Sequence, residues 1–183
     1  MSSQPTRYGA TQRALHWITV LLVLPMITAG FVMVQNGLPR GVQDALYIFH
    51  KNTGVVVFCL VVLRILWRLT HSGPPAPSFL PLWQQRIASA THGLLYVLVL
   101  LMPVSGYIRV RADNFPIEGL DSLGLPHLVP RSEALATAAS GLHMAGALAM
   151  TLLIALHVGA ALHHLVILRD GIWSRMWPPF GRD

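Results

Sequence analysis

Four long apolar runs, residues 14–35, 47–69, 90–111 and 138–168, decide what this chain is able to fold into. Each exceeds the roughly 20 residues that take a helix across a hydrocarbon core. Lipid offers no hydrogen bonds to a backbone, so such runs become helices that satisfy their own amides. The chain has 183 residues, 54% of them hydrophobic and 11% charged, and its mean hydropathy is +0.56. Soluble domains carry about 25% charged residues, so this is a membrane composition. The expected fold is all-α, one integral membrane four-helix bundle forming a single transmembrane domain over residues 1–183. The first run is too long for the apolar part of a signal peptide, and no small-residue cleavage site follows it. The single cysteine, Cys59, lies mid-span and reads as a small apolar filler.

A net charge of +6 raises the question of nucleic acid, and the placement of the charges answers it. With both termini on one side, that side holds Arg7, Arg13, Arg64, Arg68, Arg86, Arg169, Arg175 and Arg182. The opposite side holds Arg40, Lys51, Arg109, Arg111 and Arg131. Eight cations against five predict cytoplasmic termini. Asp44, Asp113, Glu118, Asp121 and Glu133 balance the outer cations, whereas only Asp170 and Asp183 lie inside. The excess charge is a topology signal, and no nucleic-acid partner is expected.

The connections follow from their breakers. Asn36, Gly37, Pro39 and Gly41 mark an outer turn, and residues 71–81, with four prolines, an inner linker that cannot remain helical. Residues 112–137 form a mixed outer segment. The last span, 31 residues or about 46 Å of helix, has to tilt or project. Trp173, Trp177, Pro178 and Pro179 place the tail at the inner surface.

Histidines carry the chemistry. His143 and His157 are fourteen residues apart on the last span, so they leave one helix face about 21 Å apart. Ionisable groups inside a span are costly and point to function. His50 begins the second span at outer depth, like His143, and His16 begins the first at inner depth, like His157. Two pairs at two depths are what two stacked b-type haems require, each iron taking an imidazole above and below its plane. The expected iron ligands are His50 with His143 and His16 with His157. Zinc or copper would need ligands converging at one depth, which this separation prevents. His92 also lies at inner depth and competes as a ligand there.

The same spacing assigns roles to neighbours. Fourteen residues beyond His16 and His92 stand Gly30 and Gly106, which leave room for a porphyrin or for close helix packing. Gly54, Gly146 and Ala147 read the same way. Fourteen beyond His50 is Arg64, either a partner for an inner haem propionate or an arginine snorkelling to headgroups. His164 is seven residues from His157 on the same face, where a quinone headgroup would need hydrogen bonds and protons; with His163 it is also readable as an interfacial histidine. His71 and His127 fall in loops and read as surface residues.

Taken together, Arg13-Ala14-Leu15-His16-Trp17, His50 with Gly54 and Arg64, His92-x-x-x-Tyr96, His143, and Leu156-His157 followed by Ala161-Leu162-His163-His164 resemble the bacterial cytochrome b561 family. The resemblance runs from about Tyr8 to Asp170. It implies a four-helix inner-membrane protein binding two haem b through His16, His157, His50 and His143. Within the family it is similar to members that oxidise periplasmic superoxide and pass the electron to ubiquinone, which would place His164 at the quinone. The chain departs from that likeness in two ways: its outer loops are charge-balanced, so net charge does not predict steering of an anionic donor and leaves that to a local patch at Arg109 and Arg111, and the linker 71–81 lacks a lysine that could contact quinone. The expected function is transmembrane electron transfer between a periplasmic donor, superoxide leading, and membrane quinone, as a superoxide:ubiquinone oxidoreductase. The alternative is a cytochrome b subunit relaying electrons for a dehydrogenase, hydrogenase or c-type cytochrome. A haem-free transporter or scaffold is the third reading.

Overall fold

The computed structural model describes residues 6–180; Arg182 and Asp183, counted above among the inner charges, lie outside the described residues. Four long helices, α1 (Ala10–Val32), α2 (Arg40–Thr70), α3 (Leu82–Ala112) and α5 (Glu133–His163), are joined by short connections, and a one-turn helix α4 (Glu118–Ser122) sits in the third. Helix α5 continues through a π-helical turn at His164–Leu168, and a 3₁₀ turn, Trp173–Arg175, follows. All four long helices are long and apolar enough to cross a membrane, and no strand occurs among the described residues. The fold is an all-α four-helix membrane bundle.

Each helix starts before its apolar run, because the start is set by a breaker or cap and not by hydropathy. Pro39 immediately precedes α2 and Pro81 immediately precedes α3. A proline ahead of a helix has a preset φ and wastes no amide there. Ser132 caps α5, its Oγ accepting from the Leu135 amide at 3.3 Å. Gly41, expected in the outer turn, is therefore inside α2, and the turn closes on Gly37 in the left-handed region at φ 86°.

The interior is layered with a period of seven residues. Val23, Val57 and Met150 belong to one buried apolar cluster that Val99 packs against. Each lies midway between two positions of its own helix: His16 and Gly30, His50 and Arg64, His143 and His157, His92 and Gly106. Since successive helices run in opposite directions, His16, Arg64, His92 and His157 share one level, and Gly30, His50, Gly106 and His143 share the other. An apolar floor separates two polar storeys. Helix α1 packs on α2, α2 on α3 and α3 on α5, whereas α5 makes little close backbone contact with α1 or α2.

The ends are closed by polar contacts; inner denotes the end at which α1 starts, and outer the opposite end. At the outer end, Lys51 Nζ donates to Glu118 Oε1 at 2.6 Å, Asn52 Nδ2 to Glu118 Oε2 at 2.9 Å, and the Gly119 amide to Asn52 Oδ1 at 2.7 Å. Arg111 pairs with Asp121. Together these hold α4 onto α2 and α3. The Glu118 carboxyl stays below its usual range: partial burial opposes ionisation, and Lys51 and Asn52 outweigh it. The Asp121 carboxyl is also held low, chiefly by Arg111. At the inner end the tail folds back onto the start of α1. Trp17 Nε1 donates to the Met176 carbonyl at 2.8 Å, and Arg13 Nε to that of Pro178 at 3.0 Å. Trp17, Trp173 and Trp177 form one ring cluster with centres 5.4–6.0 Å apart.

Candidate functional site

In the outer storey the rings of His50 on α2 and His143 on α5 face each other, with centres 6.2 Å apart and planes at 76°. Both are held from behind by Nδ1. That of His50 is 3.0 Å from the Met26 carbonyl, which only accepts, so Nδ1 carries the proton and Nε2 the free lone pair. That of His143 is 3.0 Å from Ser105 Oγ. Ser105 is buried and gives its own hydrogen to the Met102 carbonyl at 3.1 Å, so it accepts from His143, leaving Nε2 free again. Glycines lie against both rings. A Cβ on Gly30 would stand 3.0 Å from His50 Cε1, and one on Gly106 3.2 Å from His143 Cε1. Gly54 and Gly146 instead face Met26 and Met102, so at those two positions close packing against a methionine is what the structure shows.

The inner storey brings three histidines together. His16 on α1 and His157 on α5 have ring centres 6.3 Å apart at 82°, and His92 on α3 lies 5.3 Å from His157. Arg64 Nη2 donates to His16 Nδ1 at 2.9 Å, and the Arg64 guanidinium rests 5.1 Å above the Tyr96 ring. Arg64 therefore points inward to the histidine level, and Tyr96, one turn beyond His92, supports it.

The remaining candidates separate from these two groups. His164 forms an ion pair with Asp170, its Nδ1 2.6 Å from Oδ2, beside a cavity of about 250 Å³ bounded by Arg169 and Trp173. His163 lies 6.1 Å from His164, ring to ring. His71 ends α2 stacked on Trp67 at 3.9 Å, and His127 lies 3.5 Å from Asp121. Arg111 does not form the exposed outer patch expected of it with Arg109. It is buried, engaged by Asp121 and 5.9 Å from the Tyr107 ring, because the chain beyond α3 turns back over it. Sequence reasoning missed Ser105, Met26 and Asp170. Only the Ser105 hydroxyl, polar and mid-helix one residue before Gly106, carried a signal.

The two facing pairs fit an iron porphyrin. With a metal–imidazole bond of about 2 Å and a ring nitrogen roughly 1.1 Å from its ring centre, two axial imidazoles have centres about 6 Å apart. The gap between α5 and helices α1 and α2 is bridged by these rings, and the outer rings present unprotonated Nε2 atoms with the hydrogen-bonded Nδ1–H that orients metal-binding histidines.

Apolar spanning helices with paired interior histidines define a class, the membrane cytochromes of b type. The family profile of prokaryotic cytochrome b561 matches residues 7–179, and the chain belongs to this family. It is 31% identical to cytochrome b561 homolog 2 of Escherichia coli (strain K12) over 176 residues, 96% of this chain and 93% of that one. It is 32% identical to cytochrome b561 homolog 1 of the same organism over 174 residues, 94% and 97% of the two chains. A probable superoxide oxidase CybB of Yersinia pestis is 28% identical over 175 residues, 94% and 96%. The chain is thus a multi-pass membrane electron-transfer protein of a family that implies b-type haem.

Proposed function

We propose that this chain, as one cytochrome b561-type transmembrane domain, binds two haem b and moves electrons between a periplasmic donor and membrane quinone. His50 and His143 are the outer iron ligands and His16 and His157 the inner ones. The observation that carries this reading is the pair of ring separations, 6.2 and 6.3 Å, one pair in each storey. His92 is nearer to His157 than His16 is, but it approaches from α3, the helix already packed on α5, and leaves no gap for a plate between them. Haem b supplies reversible one-electron chemistry when bound. Gly30 and Gly106 keep the outer rings uncrowded, and Met26 and Ser105 fix their tautomers. Arg64 has a role on the inner level. A guanidinium only donates, so on His16 it holds Nδ1 unprotonated, whereas a ligand bound through Nε2 carries its proton on Nδ1. Arg64 must then leave that nitrogen, and a propionate carboxylate is the acceptor that draws it.

Superoxide is the proposed donor, supported by the Yersinia relative's printed name, and ubiquinone the proposed acceptor near His164 and His163 at the inner end. The excess of inner arginines supports cytoplasmic termini in the bacterial inner membrane. A second reading, a cytochrome b subunit relaying electrons for a redox protein, is favoured by the exposed Leu123, Leu125 and Leu128 of the outer segment and by the engagement of Arg111. The test is a reduced-minus-oxidised spectrum of the purified protein with its haem content, then rapid mixing with superoxide. Split α bands and haem reduction within the lifetime of superoxide are expected. A colourless protein overturns the reading, and a diheme protein inert to superoxide transfers it to the second form.

A further inference from the structure

The helix that carries His157 does not end as an ordinary α-helix. It widens into a π-helical turn at His164–Leu168, and Arg169 closes it in the left-handed region at φ 52°, an uncommon conformation for a side-chain-bearing residue. Single π turns inside helices are rare and concentrate at functional sites. The result here is specific: the chain reverses so tightly that Asp170 swings back onto His164, Oδ2 lying 2.6 Å from Nδ1. The other oxygen of Asp170 accepts from the Ile172 amide at 3.1 Å, so the carboxylate is clamped on both sides. Both side chains are four-fifths buried. His163, adjacent in sequence, has no such partner among the described ion pairs and hydrogen bonds.

We infer that Asp170 is a positioning residue that makes His164, and not His163, the group exchanging protons with the quinone ring. This rests on the quinone reading above. Asp170 accepts from Nδ1–H, which turns Nε2 away from it and leaves that nitrogen to face the cavity. Burial opposes ionisation of Asp170, but the His164 contact and the Ile172 amide hold its carboxyl below the usual range, so it stays charged at neutral pH. The other charged groups around the pair are His163, 6.1 Å from His164, and Arg169, on the cavity wall.

In the quinone-reducing direction, two superoxide ions are oxidised to dioxygen and one quinone gains two electrons and two protons. For each proton, the His164 Nε2–H bond breaks as an O–H bond forms on a ring oxygen. The imidazole is left neutral with its remaining proton on Nδ1 against Asp170, and water from the inner side restores the proton on Nε2.

The test uses the full chain in detergent with haem bound. Asp170→Asn keeps an oxygen to accept from Nδ1–H and removes the charge; Asp170→Glu restores it. The first readout is the ¹⁵N side-chain NMR tautomer signature of His164, expected to show the Nδ1-protonated form in the wild type and in Asp170→Glu, and a mixture of tautomers in Asp170→Asn, whose amide can turn either face to the ring. The second is the pH profile of reoxidation of the reduced protein by a short-chain ubiquinone. The rate should fall severalfold across that profile in Asp170→Asn, with haem content unchanged. An unchanged His164 tautomer, or an unchanged rate while Asp170→Asn folds and binds haem, overturns the inference and leaves the quinone reading standing. Should Asp170→Asn fail to fold, the wild-type spectrum decides: the neutral His164 ring must carry its proton on Nδ1, and a ring protonated on Nε2 overturns the assignment. A wild-type protein that quinone does not reoxidise overturns the quinone reading, and this inference falls with it.

Discussion

Substituting Gly30 by alanine tests the outer site through the smallest possible addition, one methyl group. In an ordinary helix the exchange is favourable by about 1 kcal/mol, because alanine loses less backbone freedom than glycine. Here the new Cβ would stand 3.0 Å from His50 Cε1. Carbon atoms rest at about 3.5–4.0 Å, so the ring has to withdraw by a few tenths of an ångström. It cannot do so freely, since Nδ1 is tied to the Met26 carbonyl at 3.0 Å on the neighbouring helix. Metal–ligand distances tolerate about 0.2 Å, so a displacement of that size breaks the proposed outer coordination. The sign of the effect is therefore the reverse of the propensity argument. Gly30→Ala should lower the haem-to-protein ratio from about two towards one, counting one iron per histidine pair, and lower the melting temperature. Gly106→Ala, with its contact at 3.2 Å, should do the same less severely. Gly93, with nothing within 4 Å, and Gly54, 3.6 Å from Met26 Cε, are the controls and should accept alanine with full haem. Haem extraction spectra and thermal melts of the four variants decide the matter. A Gly30→Ala protein with full haem and a raised melting temperature would refute the reasoning.

His143→Ala should remove about half of the haem and His157→Ala the other half; loss of all haem from either change shows that the sites do not form independently. Asp121→Asn should release α4, increasing hydrogen exchange across residues 113–132, and unchanged exchange would contradict the clamp. The wild-type clamp depends on two carboxyls held below their usual range, Glu118 and Asp121. Its contribution is complete above the ordinary carboxylate range and is lost as pH falls through the depressed values. Exchange in that segment should rise only in acid, and a rise near neutrality would count against it. Trp17→Phe deletes the 2.8 Å hydrogen bond to Met176, worth about 1 kcal/mol, and should expose the tail to proteolysis; equal cleavage rates would show that the tail docks by other contacts.

Much of this was legible because lipid simplifies the code. Apolar length is enough to set out the four helices, and with the helix period known, the fourteen-residue spacing puts His50 opposite His143 and His16 opposite His157. The same spacing brought Gly30 to His50 and Gly106 to His143. What stayed hidden depends on contacts between segments distant in sequence. Arg13 looked like a topology charge, yet it is fully buried under Tyr8 and Pro178 because the tail folds over it. Arg111 looked like part of an exposed patch, and the α4 segment covers it. Helix starts were misplaced because Pro39, Pro81 and Ser132 act through backbone geometry, to which hydropathy is blind. The Asp170–His164 contact needed the π turn, which no residue type announces.

The seven-residue layering also explains why two sites within one small bundle should assemble independently. Val23, Val57, Val99 and Met150 fill the level between them, with no histidine, arginine, lysine or carboxylate of the four helices at that height. Fourteen residues of α5 put the two proposed centres about 21 Å apart along the axis. At an effective dielectric of about 20, unit charges at that distance interact by roughly 0.8 kcal/mol. That is less than one tenfold step in an equilibrium constant, and small beside the loss of an axial ligand. Gaining or losing charge in one storey therefore leaves occupancy of the other almost unchanged. The apolar floor lets Arg64 serve the inner level alone and Ser105 the outer one. It also confines the effect of a methyl group at Gly30 to the storey in which it is placed.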